Sequence, residues 1–368
     1  MKDEDQEKIK AQQDKGFSLA KIFVKSTALS LLFVLFFLVI TAAIYGFILL
    51  SKYKVFLRSA NISNQEFISV IKKGLSTQPI HSSNHKNFLV LGLDAVENRK
   101  DMPVLTDTMM LFSINLESGS IKSLSLPRDI YNSEYQTKIN ALLHYGEEKT
   151  PENPIDFPLE VVSEMTGVPI HHAVVLSLSD LEEIIDVLGG IEIEIQKSFV
   201  DKEFPRSDVD ITIEKDPAKL YETVVFQKGI EVMTADRALK FIRSRHSDDD
   251  QGTDIARGKR QQQVISSIFN KLADPKFIIN NPQVLGELFA FYNKNFNQYL
   301  NIEEVISSAK ALIPYREQIE FENFSLSIYP EIETGVLYNP PTWKNGGQWI
   351  YEIRNINNFK EEINNLIE

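Results

Sequence analysis

From Ser26 to Ser51 the chain carries no charged residue, and its core, ALSLLFVLFFLVITAAIYGFILL, runs unbroken from Ala28 to Leu50. No other feature limits the possible folds so strongly. As a helix rising about 1.5 Å per residue, this run spans a hydrocarbon core of about 30 Å with tilt to spare. A cleaved signal peptide has a shorter apolar region and a small-residue cleavage site. A core helix of a soluble domain keeps a polar face over such a length. The run therefore reads as an uncleaved transmembrane helix over 28–50. Lys2, Lys8, Lys10, Lys15, Lys21 and Lys25 precede it, against Lys52, Lys54 and Arg58 after it. That bias places the N-terminus inside. The expected layout is a cytoplasmic tail (1–27), a single pass through the cytoplasmic membrane, a polar stalk (51–85) and one extracytoplasmic domain (86–368). No Pro- or Gly-rich linker divides that domain.

The formal net charge is −12, from 39 Lys plus Arg against 51 Asp plus Glu. Non-specific nucleic-acid binding rests on clustered positive charge, so no nucleic acid is expected as a partner. Any anion site must be built locally against the average. The absence of cysteine excludes a disulfide framework, a thiolate zinc site and a thiol nucleophile together. There is also no His-Glu-x-x-His, Gly-x-Ser-x-Gly, Walker loop or Gly-rich dinucleotide fingerprint.

Beyond the stalk, NFLVLGLD (87–94) is an apolar strand, and TMMLFSINL (108–116) and IKSLSLPRDIY (121–131) flank a Glu-Ser-Gly-Ser turn, which reads as a hairpin. Later strands alternate with helices, among them a capped helix ending in Gly-Gly at 189–190 and a long one from Asp254, taken as its N-cap. This order predicts a layered α/β/α domain with a central mixed sheet, since the hairpin is incompatible with a purely parallel one.

Two constellations carry chemistry. Asp94 ends the first strand and Asp107 opens the second. If those strands are antiparallel neighbours, two carboxylates meet at one sheet edge, a seat for a hard divalent cation such as Mg²⁺ completed by substrate phosphates. Both residues also suit turn caps. The second set is Arg243 and Arg245, on one face of an extended segment, with Arg257, Arg260 and Gln261 at i, i+3 and i+4 in the opening turns of a helix. Guanidinium forks at the positive end of a helix dipole fit a multiply charged anion such as pyrophosphate. The alternative is a solvated basic face paired with Asp248–Asp250.

These pieces occur in the order found in a known family. Val-Leu-Gly-Leu-Asp (90–94), Thr-Asp-Thr-Met-Met (106–110), Ser-Leu-Pro-Arg-Asp (125–129) and Lys-Ile-Asn-Ala (138–141) come first. Leu-Gly-Gly-Ile (188–191), Met-Thr-Ala-Asp-Arg-Ala-Leu (233–239), Arg-Ser-Arg (243–245) and Asp-Ile-Ala-Arg-Gly-Lys-Arg-Gln-Gln (254–262) follow. With them the chain resembles the LytR–CpsA–Psr family of membrane-anchored cell-wall glycopolymer ligases. The resemblance implies a phosphotransferase that moves a glycopolymer from a polyprenyl-pyrophosphate lipid onto a peptidoglycan hydroxyl. It implies Mg²⁺ on Asp94 and Asp107, a pyrophosphate held by Arg128, Arg243, Arg245, Arg257, Arg260 and Gln261, and catalysis carried by Asp107, Arg128, Arg243 and Arg257. The same residues would serve a pyrophosphohydrolase or a non-catalytic lipid-pyrophosphate binder. One departure stands out: Leu105 occupies a position where the family commonly has Arg, leaving Arg99 or Lys100 as the nearest replacements.

Overall fold

The computed structural model describes residues 2–93, 105–206, 209, 214–247 and 249–367. Helix α1 (Lys2–Ser59) contains the apolar run and continues past it. Its Phe33–Ser59 portion is long and apolar enough to cross a membrane and is unburied. After a short turn, α2 (Asn64–Ser76) starts in a capping box, in which Ser63 and Glu66 satisfy each other's backbone N–H groups.

The domain that follows begins with β1 (His85–Leu93), β2 (Thr106–Asn115) and β3 (Ser120–Leu126). A small hairpin of β4 (Tyr131–Asn132) and β5 (Thr137–Lys138) leads into α3 (Leu142–Lys149) and α4 (Asp156–Thr166). Then come β6 (His172–Ser177), α5 (Leu178–Val187), β7 (Ile191–Ile195) and β8 (Phe199–Pro205). They are followed by α6 (Pro217–Leu220), β9 (Tyr221–Phe226), β10 (Gly229–Met233), α7 (Ala235–Arg243) and α8 (Asp254–Ala273). The chain closes with α9 (Pro275–Asn280), α10 (Pro282–Asn295), α11 (Ile302–Leu312), β11 (Glu320–Ser325), the short β12 (Ile328–Tyr329), β13 (Leu337–Tyr338) and β14 (Glu352–Ile353), and α12 (Ile356–Ile367).

The central sheet has the order β11-β3-β2-β1-β6. β2 is antiparallel to both β1 and β3, whereas β6 and β11 run parallel to β1 and β3. The sheet is therefore mixed, as the hairpin required. Side chains alternate across it. Leu89, Leu91, Met109, Leu111 and Leu124 enter a core with α4 and α12 on one face. The other face carries Val90 and Met110 toward α5, α7 and α8, whose own core is filled by Phe199, Phe226, Phe241 and Val264. Strands β1, β3, β6 and β11 all end at one edge, where β2 begins. Such an edge is the usual ligand side of an open α/β sheet.

The segment expected to be a stalk is packed instead. Phe56 meets Phe67 and Phe289 edge-on, at 5.4 and 6.0 Å between ring centroids. Gly286 on α10 lies so close to α1 that a Cβ there would come within 2.6 Å of the Phe56 carbonyl. The buried Lys86 ammonium pairs with Glu304 of α11, which also accepts from the Ile80 N–H. The polar composition that suggested a free tether belongs to amphipathic helices with one face docked.

Candidate active site

The ligand edge gathers most of the expected residues. Asp107 is the second residue of β2, and Arg128 lies in the turn after β3. Arg243 is the last residue of α7, Arg245 follows its cap, and Arg257 and Gln261 occupy the first two turns of α8. Asp94 lies outside the described residues, as do Arg99, Lys100 and Asp248. The backbone register nevertheless sets Leu93 opposite Thr106, so β1 and β2 are the antiparallel neighbours that the carboxylate argument needed.

Two cavities meet at Asp107. One, of about 170 Å³, has Asp107, Arg243, Arg245, Arg257 and Gln261 at its polar end. Its body is apolar, formed by Val90, Leu93, Met110, Leu176, Leu181 and Ile265. The other, of about 50 Å³, shares Asp107, Thr108, Arg257 and Gln261 and adds Arg128, Asp129, Asp254 and Tyr351. Gly258 lines the smaller cavity, and a Cβ there would sit 3.0 Å from the Ser125 hydroxyl, closer than an ordinary van der Waals contact.

Charge is concentrated at the junction. Arg128 is ion-paired with Asp107, and its Nε lies 3.5 Å from Asp129, which also takes the Lys138 ammonium at 2.6 Å. Burial works against the Arg128 charge, but Asp107 and Asp129 outweigh it and raise the pKa. Arg257 is different. Burial lowers its pKa, and the nearby Arg128 and Arg245 lower it further, against an ion pair with Asp254 at 3.1 Å. Three guanidinium groups thus repel one another beside a partly dry cavity, a field that a bound anion would relieve. Arg243 spans from α7 over the Phe204 ring, 5.6 Å from its centroid.

The structure places Arg260 elsewhere. It is buried beneath α7, where Nε donates to Phe241 O and Nη1 to Gln251 O, each at 2.8 Å, and Nη2 donates to Ser244 O. Burial, with help from Arg257, pushes its pKa down to about 10. Helical geometry explains the correction. At about 100° per residue, Arg260 and Gln261 fall on either side of Arg257, and here Gln261 lines the cavities while Arg260 turns to the core. Two further expectations shift. Thr253, not Asp254, caps α8, its side chain accepting from the Ala256 N–H. Arg243 ends a helix, so it meets Arg245 around a helix terminus and not along a strand.

Sequence reasoning missed two supporting residues. Asp201 is fully buried on β8, and its oxygens accept from the N–H groups of Glu203 (3.1 Å), Arg245 (2.9 Å) and His246 (3.3 Å). It fixes the backbone that presents Arg245. Tyr351 comes from the C-terminal segment, its N–H donating to Asp129 O at 2.8 Å. In the sequence Asp201 belongs to no motif and carries no signal of its own.

Comparison with known proteins identifies the fold. A model of the LytR_cpsA_psr family matches residues 51–350. The chain belongs to the LytR–CpsA–Psr family. Among curated relatives of this LytR–CpsA–Psr protein is the polyisoprenyl-teichoic acid–peptidoglycan teichoic acid transferase TagT of Bacillus subtilis. The two are 24% identical over 294 residues, covering 77% of this chain and 81% of the relative. The transferase TagU of Bacillus cereus is 25% identical over 242 residues, 65% of this chain and 68% of that one. Among solved structures, TagT bound to LIIa-WTA superposes with a TM-score of 0.50 at 21% identity, covering 79% of this chain and 97% of that one. A transcriptional regulator from Enterococcus faecalis gives 0.50 at 18%, covering 79% and 90%. At these identities the structural likeness speaks for the fold.

Proposed function

We propose that this LytR–CpsA–Psr protein is a phosphotransferase that moves a glycopolymer from a polyprenyl-pyrophosphate carrier to a sugar hydroxyl of peptidoglycan. The observation that carries this reading is the cavity that is apolar along its body and lined at one end by Arg243, Arg245 and Arg257. A prenyl chain fits the first part and a pyrophosphate the second. The names of the curated relatives, teichoic acid transferases acting on peptidoglycan, support the same reaction class.

In the proposed reaction the acceptor oxygen forms a bond to the sugar-linked phosphorus. The bond from that phosphorus to the bridging oxygen breaks, and polyprenyl phosphate leaves. Such transfers need charge neutralisation and alignment more than a protein nucleophile. Arg257, shared by both cavities, and Arg128 would face the transferred phosphoryl group, and Arg243 and Arg245 the departing phosphate. Asp107, which lines both cavities, would take the hydroxyl proton. The smaller cavity, which shares Asp107, Thr108, Arg257 and Gln261 with the apolar one, would admit the acceptor next to the phosphoryl group.

Among the described residues no group of three or more His, Asp or Glu side chains could hold a metal alone. Mg²⁺ binds through one or two carboxylates and completes its shell with phosphate oxygens and water. Asp107, with Asp94, would hold it. When bound, the ion neutralises phosphate charge.

The proposed setting is an anchor at 28–50 with residues 1–27 inside and the domain outside the cell, on the balance of flanking lysines. The test is transfer by the full chain from a polyprenyl-pyrophosphate donor to peptidoglycan with Mg²⁺ present. Covalent attachment that Arg257→Ala abolishes is the expected result. Release of free polymer phosphate without attachment would assign hydrolysis instead.

A further inference from the structure

Trp343 and Trp349 are the only tryptophans of the chain. Both lie on the loop between β13 and β14, and they are 76% and 49% exposed. Tryptophan is rarely left in water without a use. The loop is not slack. Asn339 Nδ2 donates to Ile350 O at 2.7 Å across its neck, and inside it Gly347 N donates to Thr342 O at 2.9 Å and Gln348 N to Asn345 O at 3.1 Å. The two indoles are therefore presented on a braced turn.

The platform leads to the active site. Trp349 meets Tyr351 edge-on, with ring centroids 6.3 Å apart. Tyr351 lines the smaller cavity beside Asp107 and Arg128, and its backbone bonds Asp129 O and Tyr131 N at 2.8 Å. Aromatic side chains thus lead from the exposed Trp349 to Tyr351 in the lining of the smaller cavity, where the proposed reaction would admit the acceptor.

We infer that the Trp343–Trp349 loop is a binding platform for the glycan strand of the acceptor, stacking indole faces on pyranose rings beyond the reacting sugar. The ligand's identity rests on the proposed transfer reaction. Ring faces of sugars expose C–H groups that pack on aromatic planes, while their hydroxyls stay hydrated, which suits half-exposed rings with polar neighbours. A bilayer surface is the other partner that exposed tryptophans would suit. The geometry is against it. The apolar part of α1 departs beyond Lys52, which bonds Ile279 O at 2.8 Å and Asn280 Oδ1 at 3.1 Å, past the C-terminal end of α8. Tyr351 and Asp254 share a cavity at the other end of that 20-residue helix, about 30 Å away.

The experiment uses tryptophan emission, which in this chain reports on the loop alone. Soluble, uncrosslinked peptidoglycan glycan strands added to the full chain in detergent should shift or quench the emission in a saturable way. The Trp343→Ala/Trp349→Ala double variant should sediment with insoluble peptidoglycan about tenfold less than the wild type, while binding the polyprenyl-pyrophosphate donor unchanged. Unchanged emission with strands, or undiminished sedimentation of the double variant, overturns the inference. So does quenching by brominated lipid after reconstitution into vesicles. These readouts do not require turnover. A saturable shift in a protein that transfers nothing would refute the proposed reaction and leave the platform standing.

Discussion

Arg128 and Asp107 are ion-paired where two cavities meet, a mainly apolar one of about 170 Å³ and one of about 50 Å³ with mixed lining. The pair holds the carboxylate at the point where a phosphoryl donor and a hydroxyl acceptor would meet. Arg257 beside it keeps an ion pair with Asp254, yet its pKa is lowered by burial and by the cations around it.

Arg257→Ala and Arg260→Ala should therefore behave differently, although both remove an arginine from the same helix. Loss of Arg257 should reduce kcat for transfer about 100- to 1000-fold, the usual effect of removing one charge-stabilising donor, with the melting temperature little changed. Loss of Arg260 leaves three backbone carbonyls without their donor. It should cost about 3 kcal/mol or more of stability. Thermal melts beside initial-rate assays of the two variants decide this. Equal melting temperatures would refute the structural role of Arg260.

Asp107→Asn removes the carboxylate while keeping its shape. Transfer should fall by at least about 100-fold, and the Mg²⁺ concentration for half-maximal residual activity should rise. In the wild type, EDTA should stop transfer and added Mg²⁺ should restore it. Activity that survives chelation would remove the metal from the proposal.

Leu176→Trp places a large ring in the apolar cavity from the end of β6. The KM for a long-chain prenyl donor should rise about tenfold or more, while a donor analogue with a short, soluble tail should be turned over as before. Equal effects on both donors would mean that the tail lies elsewhere.

His172 stacks on Phe88, with centroids 5.6 Å apart, and burial, reinforced by Lys86, pushes its pKa down to about 4. Unfolded, the ring titrates near its ordinary value of about 6.5. Between these values the unfolded chain binds more protons, so stability is full above about pH 6.5 and falls as the pH drops toward 4. His172→Phe should flatten that part of the profile, as followed by thermal melts of the full chain in detergent across pH 4 to 7.

Much of the fold was legible because its signals are local. The 121–131 hairpin partner, the Gly-Gly helix stop at 189–190 and the apolar run at 28–50 each follow from periodicity or turn chemistry. The gathering of Asp107, Arg128, Arg243 and Arg257 was legible only through the order of motifs, since the contacts span the whole domain. Arg260 misled because i, i+3 and i+4 positions share a broad face, and that face is here divided between a cavity and a core. The stalk was misread because α2 has its partner at α11, more than 220 residues later in the chain, as the Lys310 Nζ–Leu75 O bond shows with a separation of 235. The C-terminal segment gave no strand signal because β12, β13 and β14 are two residues each, too short for alternation to register. α12 did carry a helical period in Phe359, Ile363 and Ile367, all buried.

Helix α1 passes without interruption from its apolar run to Phe56 and Ser59, where it is wedged against Gly286. Such a mounting has no swivel. Tilt and azimuth of the domain are transmitted through a stiff shaft, so one inserted residue before Phe56 would turn the cleft by about 100° relative to the shaft. A partner held at a fixed position relative to the shaft would then meet the cleft from a different side.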